Sequence, residues 1–245
     1  MLSDLHQYRF ETAEYRAGDF NIFAAVRMNK SDSRILHIVI EGDGYAWVGR
    51  YTKSDNPTPK DAVGVKIANA IQGDVIYLAR PCQYIASSVC ETNKYWTEER
   101  FAPEVVRAYN NILDQIKANY GVSSFIITGF SGGARIAYDL SMMRGDILAV
   151  NTVAGVIDVA AWTSYHDISA VQAIDHQSSM NMAQVAYMHI CGQDEAIVPC
   201  YLHEKFIKQQ SKKSDAVHNL VKIPNYSHSN LWAPAIKYLQ IENPQ

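Results

Sequence analysis

The residues whose types and spacing best fit covalent chemistry are Gly129-Phe130-Ser131-Gly132-Gly133, a G-x-S-x-G string. A serine hydroxyl attacks a carbonyl only when a neighbouring base takes its proton and a third group holds that base in one tautomer. The chemistry on offer is acyl transfer, and it requires the serine to stand clear of its own backbone. The flanking residues supply the means. Phe125 to Thr128 reads as a short buried strand, and Ala134 to Leu140, with Ile136 and Leu140 on one face, reads as a helix. Strand, sharp turn and helix with a serine at the apex make a nucleophile elbow, in which glycines let strand and helix pass closely. The helix start adds free N–H groups and a positive dipole end beside the hydroxyl.

The base and its orienting acid are expected later in the chain, acid before histidine, each at the carboxyl end of a strand. Of eight histidines, His37 lies in an apolar run and reads as a core residue, His189 falls within a strand, His203 within a helix, and His218 at the amino end of a strand. Only His228, in Pro224-Asn225-Tyr226-Ser227-His228, occupies the loop after the final strand. For the acid, Asp194 follows the strand ending at Cys191, with Glu195 adjoining it and Asp158 after the preceding strand. Asp194 is preferred, because Gly-x-Asp before Val198-Pro199 makes a tight exposed turn and Asp158 has apolar neighbours. The oxyanion hole is assigned to the N–H of Gly132 and an N–H from the loop after Ile35–Glu41, Asp43 ahead of Gly42. The Asp43 carboxylate is expected to turn away, toward Arg80 or Arg50.

The elements that must position these groups alternate. Tyr8–Tyr15 and Asn21–Met28 read as an antiparallel hairpin, followed by strands Ile35–Glu41, Asp74–Ala79, Ile147–Val153, Val185–Cys191 and Asn219–Ile223. Helices are predicted over Asp61–Ile71, Pro103–Asn119, Val198–Lys208 and Ser229–Gln240. The pattern predicts an α/β fold with a mostly parallel sheet, antiparallel leading strands and helices on both faces. This is the α/β-hydrolase order. Residues 1–245 form a single domain, with 154–182 as a small cap over the site.

A net charge of −3 and the lack of a basic cluster argue against a nucleic-acid partner. Neither G-x-G-x-x-G nor a P-loop lysine accompanies the elbow, so a nucleotide is not expected, and no cofactor or metal ligand set is read. No stretch is apolar enough to span a membrane, and the chain as it stands carries no secretory leader, which reads as cytoplasmic. Four cysteines fall as two close pairs, Cys82 with Cys90 and Cys191 with Cys200. Bridged, they imply an oxidising compartment. The alternative is buried thiols, favoured for Cys191 because it ends an apolar strand.

With these residues in hand, the chain resembles the α/β-hydrolase superfamily along nearly its whole length. IEGDG at Ile40–Gly44, YLARPCQY at Tyr77–Tyr84, YWTEERF at Tyr95–Phe101 and GFSGGA at Gly129–Ala134 look like a group of little-characterised bacterial hydrolases. The resemblance implies a serine hydrolase with the triad Ser131, Asp194 and His228, and relatives that are exported. Glu41 departs from the common esterase loop, where a histidine often stands before the glycines. The expected substrate is a small-molecule carboxylic ester or a lipid-like acyl compound. Trp47, Tyr84, Trp96, Trp162 and Tyr165 are candidates to line an acyl pocket, and a non-catalytic binding protein of the same fold is the rival reading.

Overall fold

Ser124–Phe130 forms strand β5 of a computed structural model that describes residues 2–29, 34–49, 51–176 and 185–240. Phe125, Ile126 and Ile127 are buried because β5 lies inside the sheet with covered faces on both sides, the environment that selects a continuous apolar run. Its neighbours are β3 (Ile35–Ile40) and β6 (Ile147–Val153), both parallel to it. The remaining strands are β1 (Glu11–Ala17), β2 (Phe20–Arg27), β4 (Val75–Leu78), β7 (Ala186–Gly192) and β8 (His218–Ile223). Together they make one sheet ordered β1-β2-β4-β3-β5-β6-β7-β8. Only the β1/β2 and β2/β4 pairs are antiparallel. The leading hairpin and the parallel sheet are therefore as the sequence predicts.

Helices close both faces. α1 (Leu2–Gln7) precedes the hairpin and was not expected from the sequence; its Leu5 is buried with Phe10 beneath β2 and β4. α2 (Val63–Ala70) covers one face, and α3 (Pro103–Tyr120) and α4 (Gly133–Met143) the other. α3 shows why its sequence is helical: Pro103 occupies the first turn, Gly121 closes it with a left-handed φ of 67°, and Val105, Tyr109, Ile112 and Ile116 recur on the buried face. Burying each of the three aliphatic side chains among them contributes about 2 kcal/mol relative to leaving it in water.

The segment after β6 holds α5 (Val159–Tyr165) and then runs back along α4. Arg135 on α4 fastens it by donating to the carbonyls of Ile157 and Ile174, while His176 meets Asp139 at 2.8 Å. The rest of the predicted cap, with Met180 and Met182, lies outside the described residues. α6 (Cys200–Gln210) follows β7. The predicted closing helix over Ser229–Gln240 is shorter: α7 spans only Trp232–Ala235 and gives way to a tight turn at Ile236–Tyr238. Leu231 and Ala235 are buried on that turn, so packing anchors it without a full helix.

No helix among the described residues is long and apolar enough to cross a membrane. Both cysteine pairs are bridged, Cys82–Cys90 and Cys191–Cys200. The free-thiol expectation for Cys191 is corrected: the end of β7 and the start of α6 bring its Cα within 5.5 Å of that of Cys200, inside bridging range.

Candidate active site

The carboxyl ends of the parallel strands converge on one edge, and Ser131 stands there, one residue past β5. Its φ of 50° is a left-handed value that a side chain adopts only under strain, at a cost of roughly 1–3 kcal/mol. The neighbours enforce it. A Cβ at Gly129 would lie 2.4 Å from the Cα of Ala134, and one at Gly133 would lie 2.4 Å from the carbonyl oxygen of Ile40. Only glycine permits this close crossing of strand and helix. The Ser131 N–H donates to Val153, and the Ser131 carbonyl accepts from Ala134 and Val156, so the backbone is tied to β6 as well as to α4.

His228 sits in the loop between β8 and α7, its ring 5.1 Å from that of Phe130. Its Nε2 is 3.1 Å from Ser131 Oγ, and its Nδ1 is 2.9 Å from Glu195 Oε2. An ionised carboxylate only accepts, so the Nδ1 carries the hydrogen and the Nε2 lone pair faces the serine hydroxyl. The structure brings the expected His228 to Ser131, and the carboxylate on its other ring nitrogen is that of Glu195, the neighbour of the expected Asp194. Asp194 is at the exposed tip of the turn, where its N–H donates to the Tyr226 carbonyl. Glu195, past the turn and one methylene longer, reaches back inward and is buried.

Glu195 is held on both oxygens. Oε1 accepts from the N–H groups of Ile197 at 2.7 Å and Val198 at 3.2 Å, leaving Oε2 for the histidine. Burial pushes its carboxyl up, but the His228 hydrogen bond and the two backbone donors outweigh it and hold the group below its ordinary value. The loop is braced from outside: the Ile197 carbonyl accepts from Trp162 Nε1 and lies 2.7 Å from His166 Nε2, both on or just past α5. The Cys191–Cys200 bridge clamps the loop's ends. Gly192 lets the His228 loop close on it, since a Cβ there would fall 2.0 Å from the Tyr226 carbonyl oxygen. That glycine was the signal available in the sequence. The Asp158 carboxylate caps α5 through the Ala161 N–H at 2.9 Å.

The loop after β3 reaches the elbow from the other side. Gly42 is withdrawn as an oxyanion donor, because its N–H is bonded to Glu41 Oε1 at 2.9 Å. Glu41 also accepts from Gly64 at the start of α2 and from the Tyr77 hydroxyl at 3.1 Å. Burial raises its carboxyl to about 7 against those three donors. Asp43 turns its carboxylate to Arg80 Nη1 at 3.0 Å, while Arg50 lies outside the described residues. Gly132 is packed so tightly on Asp43 that a Cβ would meet Oδ1 at 2.0 Å.

Beside the elbow backbone is a small cleft, with room for little more than one water molecule, lined by Gly155, Val156, Trp162, Val198, Leu202 and His203, among others. Of the five aromatic candidates, only Trp162 borders it. Trp96 is buried against Cys82, Tyr84 packs on Phe23, and Trp47 and Tyr165 are exposed. His37, buried and bonded to Thr128 at 3.0 Å, is depressed to about 3 by burial and stays in the core. No group of described residues has the makings of a metal site.

No protein-family model matches the chain, and no curated protein is significantly similar to it in sequence. Solved structures are similar in shape. An α/β serine hydrolase without a lid from Xanthomonas campestris is 13% identical with a TM-score of 0.61, covering 96% of this chain and 97% of its own. Est1E from Butyrivibrio proteoclasticus, solved with ferulic acid bound, is 12% identical with a TM-score of 0.65 over 92% and 95%. An esterase from Pyrococcus furiosus is 11% identical with a TM-score of 0.63 over 100% and 95%. The chain has the fold of the α/β hydrolases.

Proposed function

We propose that this protein is a serine hydrolase that cleaves small carboxylic esters, with Ser131 as nucleophile, His228 as base and Glu195 as orienting acid. The observation that carries the reading is the continuous contact from Glu195 Oε2 through His228 to Ser131 Oγ at a strained elbow. In the first step the Ser131 oxygen bonds to the ester carbonyl carbon and its proton passes to His228 Nε2. The imidazolium is stabilised by Glu195 and returns the proton to the leaving alkoxide as the acyl bond breaks. Water then attacks the acyl-enzyme by the same route in reverse. The N–H groups of Gly132 and Asp43 are assigned to the oxyanion, each such donor being worth roughly 3 kcal/mol.

The two bridges favour an oxidising compartment over the cytoplasm. The test of the central reading is intact mass after treatment with a fluorophosphonate. A single adduct on the native chain and none on Ser131→Ala is the expected result. No adduct on folded native protein would overturn it and return the chain to a non-catalytic binding role.

A further inference from the structure

Two guanidiniums lie buried beside the oxyanion loop with one carboxylate between them. Arg80, 3% exposed, donates Nη1 to Asp43 Oδ1 and Nη2 to the Arg100 carbonyl. Arg100, 4% exposed, holds Nε 3.3 Å from Asp43 Oδ2. Glu98, the other acid whose field reaches Arg100, is matched by Lys53 at 2.8 Å. Two positive charges thus face one negative charge.

Other buried arginines show how this chain ordinarily satisfies such a group. Arg144 donates to Asn110, Asp114 and Asp146, and Arg135 to Asp139 and the carbonyls of Ile157 and Ile174. Arg100 makes its ion pair through Nε but has no well-aligned hydrogen bond to any described residue, and Arg80 Nε is buried with no acceptor among them. A guanidinium has five N–H donors, and burying them unmet is costly unless something else supplies the acceptor. The place is informative. The Asp43 carboxylate abuts Gly132, next to Ser131, and the Arg100 guanidinium lies 5.1 Å from the ring of Trp162, which borders the cleft.

We infer that Arg100, steadied by Arg80 and Asp43, binds an anionic group carried by the substrate, so that the enzyme selects esters bearing a carboxylate or phosphate. The inference rests on the hydrolase reading above and names its substrate class. Guanidinium recognises both anions by paired hydrogen bonds.

The experiment compares 4-nitrophenyl hydrogen adipate with 4-nitrophenyl hexanoate, equal in length and differing by one carboxylate, each corrected for uncatalysed hydrolysis. The native enzyme is expected to favour the adipate ester at least tenfold in kcat/KM. Arg100→Gln should cut that ratio at least tenfold, with Arg100→Lys between them. An unchanged ratio in folded Arg100→Gln, or a native preference for the neutral ester, overturns the inference. Competitive inhibition of hexanoate hydrolysis by free adipate and by inorganic phosphate, on native protein alone, covers failure of the variants to fold and tells the two anions apart; inhibition by neither overturns the inference. If no ester is cleaved and Ser131 takes no fluorophosphonate, the hydrolase reading has failed separately. Calorimetric titration with adipate and phosphate then decides the anion site, and absence of heat with both removes it.

Discussion

Two histidine environments in this chain differ in burial, in partners and in consequence. His228 stands at the carboxyl edge of the sheet between a serine and a carboxylate. His203 on α6 and His189 and His218 on the strands beneath it form a second group, where His189 bonds Thr152 and His218 at 2.9 Å each and the His203 ring nitrogens have no partner among the described residues. Tyr187 stacks on His218 at 4.4 Å. No carboxylate among the described residues is hydrogen-bonded to any of the three. Burial depresses His203 and His218 to about 4, and burial with the neighbouring rings takes His189 well below its ordinary value. The difference teaches that, in the proposed mechanism, a histidine serves as base by its charged partner and its position at a strand end, while the same side chain inside the layer is a neutral packing group.

The comparison is broken or sharpened first at His228. His228→Gln is expected to lower kcat/KM by roughly 10⁴-fold or more, as removal of a triad base does. His203→Leu should leave more than a third of the activity; an equal loss from both would erase the distinction. Next, Glu195→Gln is expected to cost on the order of 10²- to 10⁴-fold by releasing the imidazole tautomer, while Asp194→Asn changes kcat/KM less than about threefold. The reverse ranking would restore Asp194 as the acid.

The inner group has its own signature in acid. Its folded values lie below the unfolded value of 6.5, so the unfolded chain binds more protons and stability falls as pH drops from 6.5 toward 4. For His203 the shift corresponds to about 3 kcal/mol, and denaturant melts of His203→Leu should show a shallower decline over that window than the native chain. An identical pH slope would mean the ring is not buried neutral. The smallest expected effect is at the bridge that clamps the Glu195 loop. Cys200→Ser paired with Cys191→Ser should cost about 2–3 kcal/mol in chemical denaturation, with a loss of activity smaller than that of Glu195→Gln.

Much of this was legible from residue order. The elbow could be read because a buried strand, three glycines and an amphipathic helix impose one local geometry on Ser131, whatever surrounds them. His228 was legible because strand ends in a parallel sheet share an edge, and only one histidine followed the last strand. The choice between Asp194 and Glu195 was not, since adjacent residues in a turn point opposite ways and the phase is set by where Tyr226 and Gly192 meet. The pairing of Cys191 with Cys200 likewise depended on α6 starting beside the end of β7. Gly42 was removed as a donor by Glu41, a carboxylate that bonds to Gly64 and Tyr77 from elsewhere in the chain.

The sequence by itself determined the serine, its strained turn, the histidine and the order of strands, because each follows from local sterics and periodicity. The tertiary structure alone decided which acid faces the histidine, that the Gly42 N–H is engaged by Glu41, and that Arg100 is buried with an ion pair but no hydrogen bond to a described residue. Those depend on contacts between segments far apart in the chain, where burial and distance, rather than residue type, select the partner.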